Sequence, residues 1–154
     1  MFKRILVPLD GSELAEKALP LAQSIAQSSN AAIRLVQVVS RLPELEAGRT
    51  GSSIQVAELE RDAARQLVEG RITRGKEYVG RVGAQLERAG IEVTTAILEG
   101  GAAENIVNYT RKHGIDLVVM STHGYSGLKR LFLGSVTDRV IRSCEAPVLV
   151  VPCS

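Results

Sequence analysis

Five short apolar segments, separated by longer stretches with helical periodicity, constrain the fold of this chain more than any other sequence feature. The segments that predict strands cover residues 5–9, 33–39, 91–97, 115–120 and 147–151. Apolar runs of about four to eight residues are typical of strands buried on both faces of a parallel sheet. Because helical segments alternate with these strands, the sequence predicts an α/β fold with helices on both faces of a parallel sheet.

The first helix signal follows the first strand. Ser12 is a natural N-cap for this helix, and Pro20 should kink it or loosen it locally. After a loop at residues 40–53, a long helical pattern extends to Gly90. Its glycines weaken the pattern and allow a break between residues 70 and 75.

Two shorter helices are predicted in the second half of the chain. One covers residues 102–113, and the other covers residues 135–143. Ser135 and Asp138 have the spacing of a capping box at the start of the second of these helices. A glycine-bearing loop at residues 121–134 precedes it.

The composition is that of one globular domain over residues 1–154. Apolar residues make up 45% of the chain, which is enough for a core. A formal net charge of +2 and an aromatic share of 3% argue against nucleic acid or a membrane surface as the main partner. No apolar stretch approaches the roughly 20 residues of a membrane helix, and no signal peptide is recognisable. Cys144 and Cys153 are expected to be free thiols, which favours a cytoplasmic location.

Two segments that follow strands carry the candidate chemistry, because open parallel sheets bind ligands beyond the carboxyl ends of their strands. The first contains Asp10, whose carboxylate could contact a ribose hydroxyl, an adenine amino group or a phosphate-bound Mg²⁺, or could cap the first helix. The second is the glycine-bearing loop and the helix opening at Ser135. Its backbone N–H groups could bind a phosphate, or the loop could be an ordinary surface connection.

Catalytic and metal-binding motifs are weak in this sequence. His123 could be read as a catalytic base, but a loop histidine that packs locally is the interpretation we favour. No nucleophile with a base and an orienting acid is evident, and the Gly-Lys-Ser/Thr of a Walker P-loop does not occur. We therefore assign no catalytic residue and no metal site.

Three segments resemble the universal stress protein family. They are the start, Ile-Leu-Val-Pro-Leu-Asp-Gly-Ser, the stretch from Asp116 to Thr137, and the ending Ala-Pro-Val-Leu-Val-Val-Pro. The resemblance spans nearly the whole chain and implies a Rossmann-like open sheet of five parallel strands in the order 3-2-1-4-5. It also implies a homodimer, often formed by the last strand, and an exposed edge strand would suit that pairing.

The resemblance further implies an adenine-nucleotide site, with ATP as the expected ligand. The family's ATP-binding members carry Gly-x-x-Gly, nine residues, and then Gly-Ser or Gly-Thr. Gly124 and the Gly134-Ser135 pair keep this spacing, but Ser121 stands where the first glycine is expected. The implied binding residues are Pro8, Leu9, Asp10, Val38, Ser121, Thr122, His123, Gly124, Gly134, Ser135, Val136 and Thr137.

Two other functions stay open at this point. A dimeric protein-interaction module of the same fold, without a nucleotide, is favoured by Ser121 and opposed by the intact spacing from Gly124 to Ser135. An adenylyl-transferring enzyme would place a glycine-rich or histidine signature directly after the first strand. Leu9-Asp10-Gly11-Ser12 lacks such a signature.

Overall fold

The computed structural model describes residues 1–41, 54–122 and 133–152. Its five strands form one parallel sheet in the order β3-β2-β1-β4-β5, which confirms the predicted fold class and strand order. The strands are β1 (Arg4–Leu9), β2 (Ala32–Val39), β3 (Val93–Glu99), β4 (Leu117–Ser121) and β5 (Val148–Val151). β3 begins two residues later than predicted, because its pairing with β2 starts at Val93. β5 lies at one edge of the sheet, as expected.

Helices cover both faces of the sheet. They are α1 (Glu13–Glu16), α2 (Leu19–Ser29), α3 (Ile54–Arg88), α4 (Ala102–Lys112) and α5 (Ser135–Ser143). Apolar side chains of α1, α2 and α3 pack on one face of the sheet, and those of α4 and α5 pack on the other. Central β1 is covered on both sides, which is why Ile5, Leu6 and Val7 are fully buried.

Pro20 divides the first helical segment, as its missing N–H and fixed φ require. α1 ends at Glu16 and α2 begins at Leu19, with Pro20 in the first turn, where its N–H is not needed. Ser12 caps α1, because its Oγ accepts a 3.2 Å hydrogen bond from the backbone N–H of Ala15. Both features confirm the sequence-based predictions.

α3 is continuous over 35 residues, so the break allowed at residues 70–75 does not occur. Gly75 and Gly83 serve helix–sheet packing instead. A Cβ on Gly75 would stand 3.0 Å from Cδ1 of Ile97, and one on Gly83 would stand 3.4 Å from Cγ2 of Thr95. The backbone of α3 can approach the sheet this closely because these positions have no side chain.

Candidate functional site

A cavity of about 400 Å³ opens at the carboxyl ends of β1, β2 and β4. The N-terminal ends of α4 and α5 and residue Ala15 of α1 complete its wall. This is the place where ligands bind in open parallel sheets, and the volume falls within the range of about 300–1,000 Å³ typical of small-molecule pockets.

Nine of the twelve expected binding residues line this one cavity. They come from four separate parts of the chain: Pro8, Leu9 and Asp10, then Val38, then Ser121, and finally Gly134, Ser135, Val136 and Thr137. Thr122 does not line it, and its backbone N–H instead donates a 3.1 Å hydrogen bond to the carbonyl of Val151. His123 and Gly124 lie outside the described residues.

The turn after β1 holds Asp10 at the cavity wall. Its Oδ1 accepts hydrogen bonds from the backbone N–H of Ser12, at 2.9 Å, and from the Ser12 hydroxyl, at 2.6 Å. Between them Gly11 adopts φ +86°, a left-handed conformation that favours glycine. Asp10 therefore fixes the turn while Ser12 caps α1. The side chain of Asp10 remains exposed, with a carboxylate at the mouth of the cavity.

Ser121 closes the floor of the cavity from the end of β4. Its hydroxyl donates a 2.7 Å hydrogen bond to the carbonyl oxygen of Leu14, and only 8% of the residue is exposed. The serine at the position of the expected glycine therefore has a structural partner within the protein. Its donor is engaged with α1, so the hydroxyl offers a ligand an acceptor only.

The N-terminus of α5 forms the opposite wall. Gly134, not Ser135, is the N-cap residue, and no side chain caps this helix, so the predicted capping box is wrong. The carboxylate of Asp138 instead accepts from Nε of Arg142 at 3.0 and 3.1 Å, one turn along the helix. Among the described residues, no side chain accepts a capping hydrogen bond from the first N–H groups of α5. They provide the partial positive charge that binds anions at helix starts.

Five further residues that the sequence analysis did not identify complete the lining, and all are apolar. Three of them, Ala15, Ile106 and Met120, are also buried. The sequence contains a signal for two of these residues. Met120 directly precedes Ser121 at the end of a strand, and Ala102 begins the helix after Gly100 and Gly101. The full set is Ala15, Ala102, Ile106, Met120 and Leu133.

A second, more open cavity of about 520 Å³ lies on the α3 side of β2. Gln37 Oε1 is buried beside it without a hydrogen-bond partner among the described residues, and the buried Tyr78 hydroxyl lies close to the carboxylate of Glu16. Burial, followed by the negative charges of Glu16 and Asp10, raises the pKa of Tyr78 well above its ordinary value of 10.0. Tyr78 is therefore neutral over the physiological pH range.

Within residues 1–41, 54–122 and 133–152, no three His, Cys, Asp or Glu side chains are grouped closely enough to hold a metal ion. In the same residues, no helix has both the length and the apolarity to cross a bilayer.

The model of the Universal stress protein family matches residues 1–152. Universal stress protein MJ0531 of Methanocaldococcus jannaschii is 34% identical, over 98% of this chain and 82% of the relative. The solved structure of protein MJ0577 from the same organism superimposes with a TM-score of 0.80 at 28% identity, and the match covers 100% of this chain and 98% of the other.

Two further solved structures share the fold and contain adenine nucleotides. A universal stress protein in complex with cAMP has a TM-score of 0.60 at 21% identity, covering 99% of this chain and 98% of that one. The universal stress protein from Archaeoglobus fulgidus in complex with dAMP has a TM-score of 0.61 at 19% identity, covering 97% of each chain. At these identities the likeness concerns the fold alone.

Proposed function

This chain belongs to the universal stress protein family, and we propose that it binds an adenine nucleotide, with ATP the expected ligand, in the cavity at the carboxyl ends of β1, β2 and β4. One observation carries the proposal. An apolar cavity of nucleoside size lies between the carboxylate of Asp10 and a helix start that no described side chain caps. Relatives with this fold that bind cAMP and dAMP support the same ligand class.

Different parts of the cavity wall suit different chemical groups of the ligand. The apolar side chains of Val38, Ile106 and Met120 would pack against the adenine ring, which is flat and weakly solvated. Asp10 would accept hydrogen bonds from the ribose hydroxyls or the adenine amino group.

The phosphates would lie at the N-terminus of α5. There the backbone N–H groups and the hydroxyls of Ser135 and Thr137 can donate to them. Mg²⁺, when present, would be bound chiefly by the phosphates, because Asp10 is the only carboxylate among the lining residues that the structure describes.

The nucleotide would act as a regulatory ligand. No nucleophile–base pair is formed by the described lining residues, so slow hydrolysis is the most that we propose. Binding would shift the conformation or partner choice of a cytoplasmic homodimer that pairs through the exposed edge of β5. Residues 1–154 would form this unit as one domain.

Ser121 favours a second function, a protein-interaction module without a nucleotide. Its side chain occupies space that a glycine would leave open at the cavity floor. The two functions differ in one measurable property, since a ligand that binds only the native state must raise the melting temperature.

The test is thermal unfolding with ATP, ADP, AMP and cAMP, each with and without Mg²⁺. We expect at least one nucleotide to raise Tm at millimolar concentration. Asp10→Ala should lower the affinity for that nucleotide by about tenfold or more in calorimetry, because a charge-assisted hydrogen bond is lost. Ser12→Ala is the matched control, since it removes the α1 cap and one hydrogen bond to Asp10 but keeps the carboxylate and its bond from the backbone N–H of residue 12. If no adenine nucleotide shifts Tm, the interaction module is the better assignment.

A further inference from the structure

The first half of α3 has an apolar stripe that faces solvent. Leu59 is 69% exposed and Leu67 is 58% exposed, and Val56 is 41% exposed on the same side of the helix. Together with Ala63 and Gly70, these residues follow one another at spacings of three, four, four and three. Such spacing places them on a single helical face. We call this set, Val56, Leu59, Ala63, Leu67 and Gly70, the α3 stripe.

The sheet of the same molecule cannot cover the α3 stripe. Gly75 is the first buried residue of α3, and it already contacts Gln37 and Ile97 near the ends of β2 and β3. Arg71 and Arg74 still line the cavity beside β2, so residues 54–70 are the part of α3 that extends beyond the sheet, by roughly 25 Å at 1.5 Å per residue. The stripe also points away from the core, since Ala63 is rotated by about 140–160° from the buried Val79 and Leu86 at 100° per residue.

We propose that the α3 stripe is an interface with a second copy of this chain, in which two α3 helices pair antiparallel. In one register, the stripe of one copy is complementary to the same stripe of the other copy. When Ala63 faces Ala63 of the second copy, Leu59 faces the second copy's Leu67, and Val56 faces the second copy's Gly70. The residues that meet at these three levels are all apolar or small, and alanine at the crossing lets the helices approach to about 8 Å. The guanidinium of Arg74 borders the outermost level, since its Nη1 lies 3.6 Å from the position of a Cβ on Gly70.

Charge along one flank of the stripe fits the same register. Glu60 and Arg71 are both rotated by about 60–80° from Ala63 in the same direction, so they lie on one flank. In an antiparallel pair the same flanks of the two helices meet. Glu60 then lies about five residues, or roughly 8 Å along the axis, from the second copy's Arg71, and both side chains are exposed. Arginine is long enough to bridge that separation, and the symmetric pair forms twice.

Site-specific disulfide formation tests this pairing independently of any dimer through β5. In a Cys144→Ser, Cys153→Ser background, Ala63→Cys should give a disulfide-linked dimer on oxidation with diamide, because the two positions meet at the two-fold axis. Arg65→Cys is the matched control, since it is exposed but lies on the opposite side of the helix. It should stay largely uncross-linked under the same conditions.

Three variants and one control then connect the cross-link to the stripe and its charges. Leu59→Glu with Leu67→Glu should reduce the Ala63→Cys cross-link at least tenfold, whereas Leu21→Glu, on the exposed side of α2, should not change it. Glu60→Arg should weaken the cross-link, and Arg71→Glu in the same chain should restore it. The proposal is wrong if positions 63 and 65 cross-link equally, or if the glutamates have no effect while circular dichroism shows a folded protein.

Discussion

The hydroxyl of Ser121, at the end of β4, donates a 2.7 Å hydrogen bond to the carbonyl oxygen of Leu14, 107 residues earlier in the chain. This bond connects α1 to the cavity at the carboxyl ends of β1, β2 and β4. It also changes how the serine in place of the expected glycine is understood, because the side chain has a partner inside the protein.

Replacing Ser121 by Ala should lower the free energy of unfolding by about 1 kcal/mol, since a part-buried hydrogen bond is lost while the Lys17 N–H still donates to the Leu14 carbonyl. We expect the affinity for the nucleotide to change less than about threefold, because the hydroxyl is engaged with α1. Urea unfolding and calorimetry measure the two quantities. A large loss of affinity with unchanged stability would instead place the Ser121 hydroxyl on the ligand.

Gly134→Val should abolish nucleotide binding and leave the protein folded. A Cβ at Gly134 meets no atom within 4 Å, and its φ of −56° suits any residue, so the backbone tolerates a side chain. The isopropyl group would occupy space next to the first N–H groups of α5, where the phosphates are proposed to lie. Gly134→Ala provides the graded comparison and should weaken binding less. Equal affinity of wild type and the valine variant by calorimetry would show that the phosphates lie elsewhere.

Gly75→Val should destabilise the fold much more than Gly80→Val. Both positions lie inside α3, so the change in helix propensity is the same. A Cβ on Gly75 would stand 3.0 Å from Ile97 and 3.2 Å from Gln37, whereas one on Gly80 meets nothing within 4 Å. Overpacking of this kind costs about 1–3 kcal/mol. Chemical denaturation should show that difference between the two variants, and equal stabilities would mean that α3 can move away from the sheet without cost.

Alkaline pH should destabilise the protein through Tyr78. Its pKa is raised in the folded state, so the native protein holds the phenolic proton more tightly than the unfolded chain does. The stabilisation is complete below the unfolded pKa of 10.0 and is lost as the pH rises above it. Urea unfolding between about pH 9 and pH 11.5 should therefore show a smaller decline for Tyr78→Phe than for wild type. Parallel declines in the two proteins would assign the effect to other groups.

The strand segments could be read from the sequence because a strand buried on both faces leaves a continuous apolar run, as residues 5–7 do. Local rules likewise predicted the Ser12 cap and the division at Pro20, since both depend on groups within one helical turn. They failed for Ser135 and Asp138, because a capping box competes with other local pairings, and Asp138 pairs with Arg142.

The sequence alone determined the alternation of strands and helices and identified the candidate segments after β1 and β4, because periodicity and turn chemistry are local properties. Only the tertiary structure decided that Ser121 bonds to Leu14, that Gly75 and Gly83 lie against the sheet, and that the cavity includes Ile106 and Met120. These relationships join residues far apart in the chain. They depend on how closely whole helices and strands pack against one another, and a local sequence pattern does not determine the distance between two such elements.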